Sequence, residues 1–499
     1  MRRWRACATP WLAGVLSLAL TACGGGGSEP VPPAPAQVRE QDSRRYVAVV
    51  ESTLPALPDA PAESDRWVGQ LDGAAYRVEV PKNWNGSLLI WARGYWDGST
   101  LFLEDPMLRR HLLERGMAWA ASSYTRNMYD VQAAIEDSNQ LAIRFQAIAA
   151  AHGRTLAAPR RVFIAGMSMG GHVAAAAVEA EVVEHAVHPF RYDGALALCG
   201  TVTDLGWYQY LAAYQMALQH VLGAPAEDYP SAVYSRQKPA LRQRVMDSLA
   251  DAAAPDEQMT RLRALARQLS GGERPFFAEG WRNPAHHELL FKLMNFAPTI
   301  DGVLARNVID TRSVVYRFEE PDQPDPEADV LNATIRRITP QADPNPLPPV
   351  GLRWVPLVEG RLTVPVISMH TLGDVLAPLE LQRRYMQRAQ AAGQAALLSV
   401  RLVRDAEHCA FTAAEVAAAF DALTQWVETG RPPAGDEVSS ADAWRRDDVG
   451  CRYTDNRTGP EDRADASDRQ RVQSRYPPCQ GIVSGGQAGQ VGRPDGSDR

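Results

Sequence analysis

Arg161-Val162-Phe163-Ile164-Ala165-Gly166-Met167-Ser168-Met169-Gly170-Gly171 decides how this chain is read. Val162 to Ala165 is an apolar, β-rich run that predicts a strand, and the Ala-rich segment Gly171 to Val183 predicts a helix. Between them stands Gly-x-Ser-x-Gly, a spacing that bends the chain sharply and lifts a serine hydroxyl above the carboxyl ends of neighbouring strands. Gly166 and Gly170 stand where side chains would collide in so tight a bend, and Gly171 lets the helix pack closely. The helix N-terminus points back at Ser168, which gives the Met169 amide a position from which to donate to a developing oxyanion.

The flanks extend the same pattern. Short apolar runs at Tyr76 to Val80, Leu88 to Ala92, Ala118 to Ser122 and Ala195 to Cys199 predict further strands, with an amphipathic helix over Asp130 to Ala151. Asp204 to about Pro356 breaks the rhythm with helical stretches at Trp207 to Leu222 and Asp256 to Leu269 and a Pro- and Asp-rich loop from Glu319 to Pro349. Strands resume at Val364 to His370 and Leu398 to Val403, with helices near Glu380 to Ala392 and Thr412 to Thr429. The expected fold class is α/β, a mostly parallel sheet with helices on both faces and an inserted helical cap. The expected boundaries are a core over 61–203 and 357–434, a cap over 204–356, and a polar extension over 435–499 that adds little to the core.

With Gly166 to Gly170 in place, and an Asp and a His downstream at strand ends, the chain resembles the α/β-hydrolase superfamily over roughly Arg66 to Thr201 and Val364 to Thr429. It looks more like the secreted esterase and polyester or tannin hydrolase branches than the lipases. The resemblance implies the order Ser, Asp, His. A serine hydroxyl needs an imidazole to take its proton, and His408, in the loop between the last predicted strand and the last helix, is where that superfamily delivers it. His172 follows the bend within the helix and should point away; His370 suits packing, and His286 and His287 fall in the cap. Asp374, in the Gly-Asp turn after the strand ending at His370, fits the acid; Asp204 is the runner-up, and Asp405 and Glu407 read as loop charges.

The second oxyanion amide should come from the loop after Leu88 to Ala92. The superfamily often has His-Gly there, whereas this chain has Arg93-Gly94; Tyr95 is the expected donor and Gly94 the next. Trp96, Trp207 and Tyr208 are the expected substrate-binding aromatics, the competing reading being that such rings join cap to core. The implied activity is a serine carboxylic-ester hydrolase working through an acyl-enzyme on a small-molecule or polymeric ester. A prolyl-oligopeptidase-like peptidase or amidase is the alternative. No metal constellation is present, so neither a metal nor a cofactor is expected.

The 499 residues carry 52 Lys and Arg against 59 Asp and Glu, a net charge of −7 that argues against nucleic acid as a partner. Residues 1–23 read as a lipoprotein signal: Arg2, Arg3 and Arg5, then apolar Trp11 to Leu20, then Leu20-Thr21-Ala22-Cys23, which resembles a lipobox with Cys23 as the lipidation site. A Gly- and Pro-rich tether over 24–60 follows. The protein is therefore expected outside the cytoplasm, anchored by lipid to a bacterial membrane, the outer one favoured, or secreted. In that oxidising setting Cys199, Cys409, Cys451 and Cys479 allow three pairings; Cys199 with Cys409, after core strands, and Cys451 with Cys479, in the tail, is the favoured one. Tannase and feruloyl esterase relatives also place a Cys after the catalytic His but pair it with a Cys just before the Ser, where this chain has Met167.

Overall fold

Leu88 and Ile90 pack on one side of a strand and Leu89 and Trp91 on the other, all four buried, as a strand covered on both faces requires. A computed structural model of the chain describes residues 45–48, 53–224, 232–250, 256–294, 308–340, 342–462 and 466–479, all within the compact unit Val38–Arg499. Eight strands form one sheet: β1 Ser64–Leu71, β2 Ala74–Pro81, β3 Ser87–Ala92, β4 Ala118–Ser122, β5 Arg161–Met167, β6 Gly194–Leu198, β7 Val366–Thr371 and β8 Leu398–Val403. Their order is β1-β2-β4-β3-β5-β6-β7-β8, antiparallel at β1-β2 and β2-β4 and parallel everywhere else. All parallel strands therefore point their carboxyl ends at one rim of the sheet.

β1 lies outside the strands predicted from sequence. It is an edge strand of mostly half-buried residues, so Ser64–Leu71 lacks the apolar run by which the inner strands are found. One face of the sheet carries the helices Val131–Ala151, Met169–Ala176 and Glu380–Ala391; the other carries Arg109–Glu114 and Ala413–Thr429, with Phe163 edge-on to Phe420 at 5.5 Å. Asp130, Asp256, Asp325 and Thr412 each cap a helix N-terminus through the side chain, Thr412 in a reciprocal capping box with Glu415.

Two boundaries differ from expectation. The single helix predicted after Ser168 is split into Met169–Ala176 and Ala180–His185, because Glu179 between them is extended and pairs with Leu362. The loop expected from Glu319 to Pro349 contains the helix Pro326–Thr334, started by the Asp325 cap with Pro326 in its first turn. Six described helices, from Leu205–Val221 to Pro326–Thr334, intervene between β6 and β7. The first is anchored to the loop after β7: Trp207 Nε1 donates to Leu376 O at 2.8 Å and Tyr210 OH to Val375 O at 2.7 Å.

The extension past 435 contributes more to the core than its composition suggests. Val438, Trp444 and Cys451 are buried, and so is Arg469, which ion-pairs with Glu415. A polar stretch can bury a few large side chains and one satisfied cation without showing an apolar run. Cys23 and Trp11 to Leu20 lie outside the described residues. Among the described residues no helix is long and apolar enough to cross a membrane.

Candidate active site

Ser168 sits directly after β5 with φ +58° and ψ −118°, a strained conformation for a residue with a side chain. The glycines around it are fixed by close approach: a Cβ on Gly170 would lie 1.9 Å from Ala92 O, and one on Gly166 would lie 2.3 Å from Gly170 O. The Ser168 amide donates to Leu198 O at 2.9 Å, so the bend is held between β3 and β6.

His408, in the loop after β8, places Nε2 2.9 Å from Ser168 Oγ and Nδ1 2.6 Å from Asp374 Oδ2. Asp374 follows β7 and is wholly buried; its Oδ1 accepts from the Leu376 and Ala377 amides at 2.8 and 3.0 Å. Burial alone would raise its pKa, but the charge and hydrogen bond of His408 outweigh this and hold the carboxyl at about 2. An ionised Asp374 fixes the neutral imidazole with its proton on Nδ1, leaving the Nε2 lone pair toward the serine. The loop that carries His408 is tied to its surroundings by the Cys199–Cys409 disulfide, by Thr371 Oγ1 donating to Glu407 O at 2.8 Å, and by the Gly373 amide donating to Asp405 O at 2.9 Å. The second disulfide joins Cys451 to Cys479.

Asp204 is placed elsewhere: it accepts from the Val358 amide and from Arg388, both at 2.7 Å, and braces the chain entering β7. Asp405 faces Arg469 at 3.2 Å, and Glu407 accepts from Asn283. His172 is buried behind the bend with Nε2 3.2 Å from Pro356 O, and burial lowers its pKa to about 4. His370 donates through Nε2 to Ala377 O at 2.6 Å and is likewise lowered to about 4 by burial. His287 bonds Trp281 O at 2.6 Å. His286 Nε2 accepts from the His408 amide at 3.1 Å.

Met169 is the first residue of its helix, where no preceding turn supplies an acceptor for its amide. The loop after β3 runs against the serine, a Cβ on Gly94 falling 3.8 Å from Ser168 Cβ. The Gly94 amide is already engaged, donating to Glu104 Oε2 at 3.3 Å, while Tyr95 borders the cavity that holds Ser168. Buried Arg93 braces this loop through Ser123 O, Arg126 O and Asn127 Oδ1.

That cavity is small, about 30 Å³, room for roughly two waters. Tyr95, Tyr129, Trp207, Leu376 and the cap residues Leu289 and Leu293 wall it, and among the described residues no carboxylate, Lys or Arg lines it. Of the expected substrate-binding rings only Trp207 borders it. Trp96 stacks on Phe102 at 4.9 Å on the surface, its indole donating to Thr100 O. Tyr208 is buried edge-on against Tyr129 and Trp207. Adjacent residues on a helix or bent loop face different ways, so rings that are neighbours in sequence do not all border this cavity. Tyr129, Leu289 and Leu293 carried no signal in the sequence, since they come from three non-adjacent segments and only the fold gathers them. A larger cavity of about 180 Å³ also borders His408, walled by Trp91, Met167 and Phe411 together with Glu104 and Glu279.

No family model matches the chain. An o-phthalyl amidase of Xanthobacter agilis is 34% identical over 77 residues, 15% of this chain; the match takes in 17% of the amidase. Among solved structures the chain is similar to feruloyl esterase B of Aspergillus oryzae, at 14% identity and TM-score 0.41 over 78% of this chain and 88% of that one. It is also similar to the rice cell wall degrading esterase LipA of Xanthomonas oryzae, at 14% identity and TM-score 0.33 over 70% and 86%. A hormone-sensitive lipase from a metagenome library gives 13% and 0.33 over 73% and 85%. The strand order of the sheet, the bend after β5 and the insertion between β6 and β7 together give the chain the α/β-hydrolase fold.

Proposed function

We propose that the protein is an extracytoplasmic serine hydrolase that cleaves carboxylic esters through an acyl-enzyme. The observation that carries this reading is His408 bridging Ser168 and Asp374 at 2.9 and 2.6 Å. Ser168 Oγ attacks the ester carbonyl carbon while its proton passes to His408 Nε2. The imidazolium so formed is stabilised by Asp374, whose carboxylate is ionised at any working pH. The oxyanion is received by the Met169 and Tyr95 amides, each such donor worth about 100- to 1,000-fold in rate. Collapse breaks the bond to the alcohol, which leaves with the proton from His408, and water activated by the same imidazole then releases the acid.

Uncharged walls around Ser168 favour an uncharged acyl group, since a carboxylate or ammonium there would be desolvated without a partner. Two disulfides support an oxidising compartment, and Cys23 is the proposed lipid site that would tether the protein to a membrane. The same catalytic groups cleave amides, and the short match to an amidase favours keeping that second reading. Matched p-nitrophenyl ester and p-nitroanilide substrates separate the two. The native protein should turn over the ester and Ser168→Ala should not; hydrolysis of the anilide alone, or an S168A variant as active as the native chain, contradicts the esterase reading.

A further inference from the structure

His286 belongs to the cap helix Pro284–Leu293, yet its imidazole ends on the backbone of the base loop. Nδ1 lies 2.8 Å from Gly280 O, and a carbonyl only accepts, so Nδ1 carries the proton. Nε2 lies 3.1 Å from the His408 amide, a donor, so Nε2 presents its lone pair. His286 is 4% exposed, and burial lowers its pKa, in the same direction as the neutral form that this pair of bonds requires. The acceptor at Gly280 is itself rigidly placed. A Cβ on Gly280 would lie 1.9 Å from Gly373 O and 2.9 Å from Ala406 O, so the cap backbone, the acid turn and the base loop meet there without side chains between them. Leu289 and Leu293, three and seven residues on from His286, share its helix face and close over Ser168.

Resting on the esterase reading above, we infer that His286 is a positioning residue: the cap helix supplies the acceptor that fixes the His408 backbone, and through it the imidazole, at proton-transfer distance from Ser168. Cys409, next in the chain, has φ +61°, so the loop leaves His408 in a conformation that needs outside support. One lost hydrogen bond is modest, but a base displaced by about 1 Å can cost on the order of a hundredfold in rate.

The test compares H286Q, whose Oε1 can accept from His408 N, with H286L, which fills the space and accepts nothing. With p-nitrophenyl ester as substrate and rates taken per titrated active serine, H286L should lose about tenfold in kcat with KM changed by less than about twofold. H286Q should stay within about threefold of native. Equal losses in both, tracking their melting temperatures, would show a packing role only and overturn the inference. Should H286L not fold, the shorter H286N takes its place as the variant that cannot reach His408. On the native protein, ¹⁵N spectra of labelled histidine should show His286 protonated on Nδ1 alone at neutral pH; protonation on Nε2 also overturns it. A native chain that hydrolyses no ester would count against the esterase reading instead, and the tautomer measurement would still decide what His286 does to the loop.

Discussion

His408 Nε2 and Ser168 Oγ stand 2.9 Å apart although 240 residues separate them in the chain. The distance depends on three turns at one rim of the sheet, after β5, β7 and β8, each delivering one side chain. Substitution at Asp374 separates the proposed catalytic role from a structural one most sharply. Asp374→Asn should leave the fold intact and lower kcat by about 10⁴-fold, because the amide stabilises the wrong imidazole tautomer. Asp204→Asn, at the brace between Val358 and Arg388, should instead lower the melting temperature and leave kcat close to native.

The disulfide Cys199–Cys409 spans 210 residues and ends one residue from His408. Replacing both cysteines by serine should cost about 2–4 kcal/mol of stability, measured by denaturant unfolding, and should lower kcat in the protein that still folds. An unchanged midpoint and rate would mean the other ties of the base loop suffice.

Where Gly280 meets the backbone of Gly373 and Ala406 there is no room for a methyl group. Gly280→Ala should therefore displace Asp374 or His408, with about a hundredfold loss in kcat. Gly393→Ala, at a position with nothing within 4 Å of the added carbon but φ +71°, should affect stability and spare the rate.

Arg469 reaches from the polar extension to Glu415 at 2.9 Å and to Asp405 at 3.2 Å, with all three side chains buried. Removing it leaves two buried carboxylates with backbone amides but without their cation, so Arg469→Ala should cost about 3–5 kcal/mol, read as an earlier unfolding midpoint.

Glu179 gives a pH dependence with a definite sign. Burial raises its carboxyl to about 7, against the opposing bonds from the Gly360 and Arg361 amides. Between its unfolded value near 4.5 and 7 the native state then holds a proton that the unfolded chain has released. Its contribution to stability is full below that window and is lost as pH rises through it. Asp405, raised to about 7 mainly by burial, acts in the same direction. Melting temperatures from pH 4 to 8 should fall less steeply in Glu179→Gln than in the native protein; parallel curves would contradict this.

The sheet was legible where both faces of a strand are buried, as at Ser87–Ala92, and illegible at β1, where edge residues alternate weakly. The bend at Ser168 could be read because its glycines answer a local steric demand. Which of Trp96, Trp207 and Tyr208 borders the cavity at Ser168 was not legible, because composition says a ring is near the rim but not which way it points. His286 had no readable signal at all: its partner, the His408 amide, is 122 residues away, and only packing of the cap helix on the acid turn brings them together.

The proposed mechanism requires Ser168 to be a nucleophile activated by His408. Treatment with a fluorophosphonate, followed by intact-mass and peptide analysis, reads this out. One adduct per chain is expected, on the peptide containing Ser168, absent in Ser168→Ala and formed far more slowly in His408→Ala. A native protein that stays unlabelled, or that is labelled at another residue, would contradict the account.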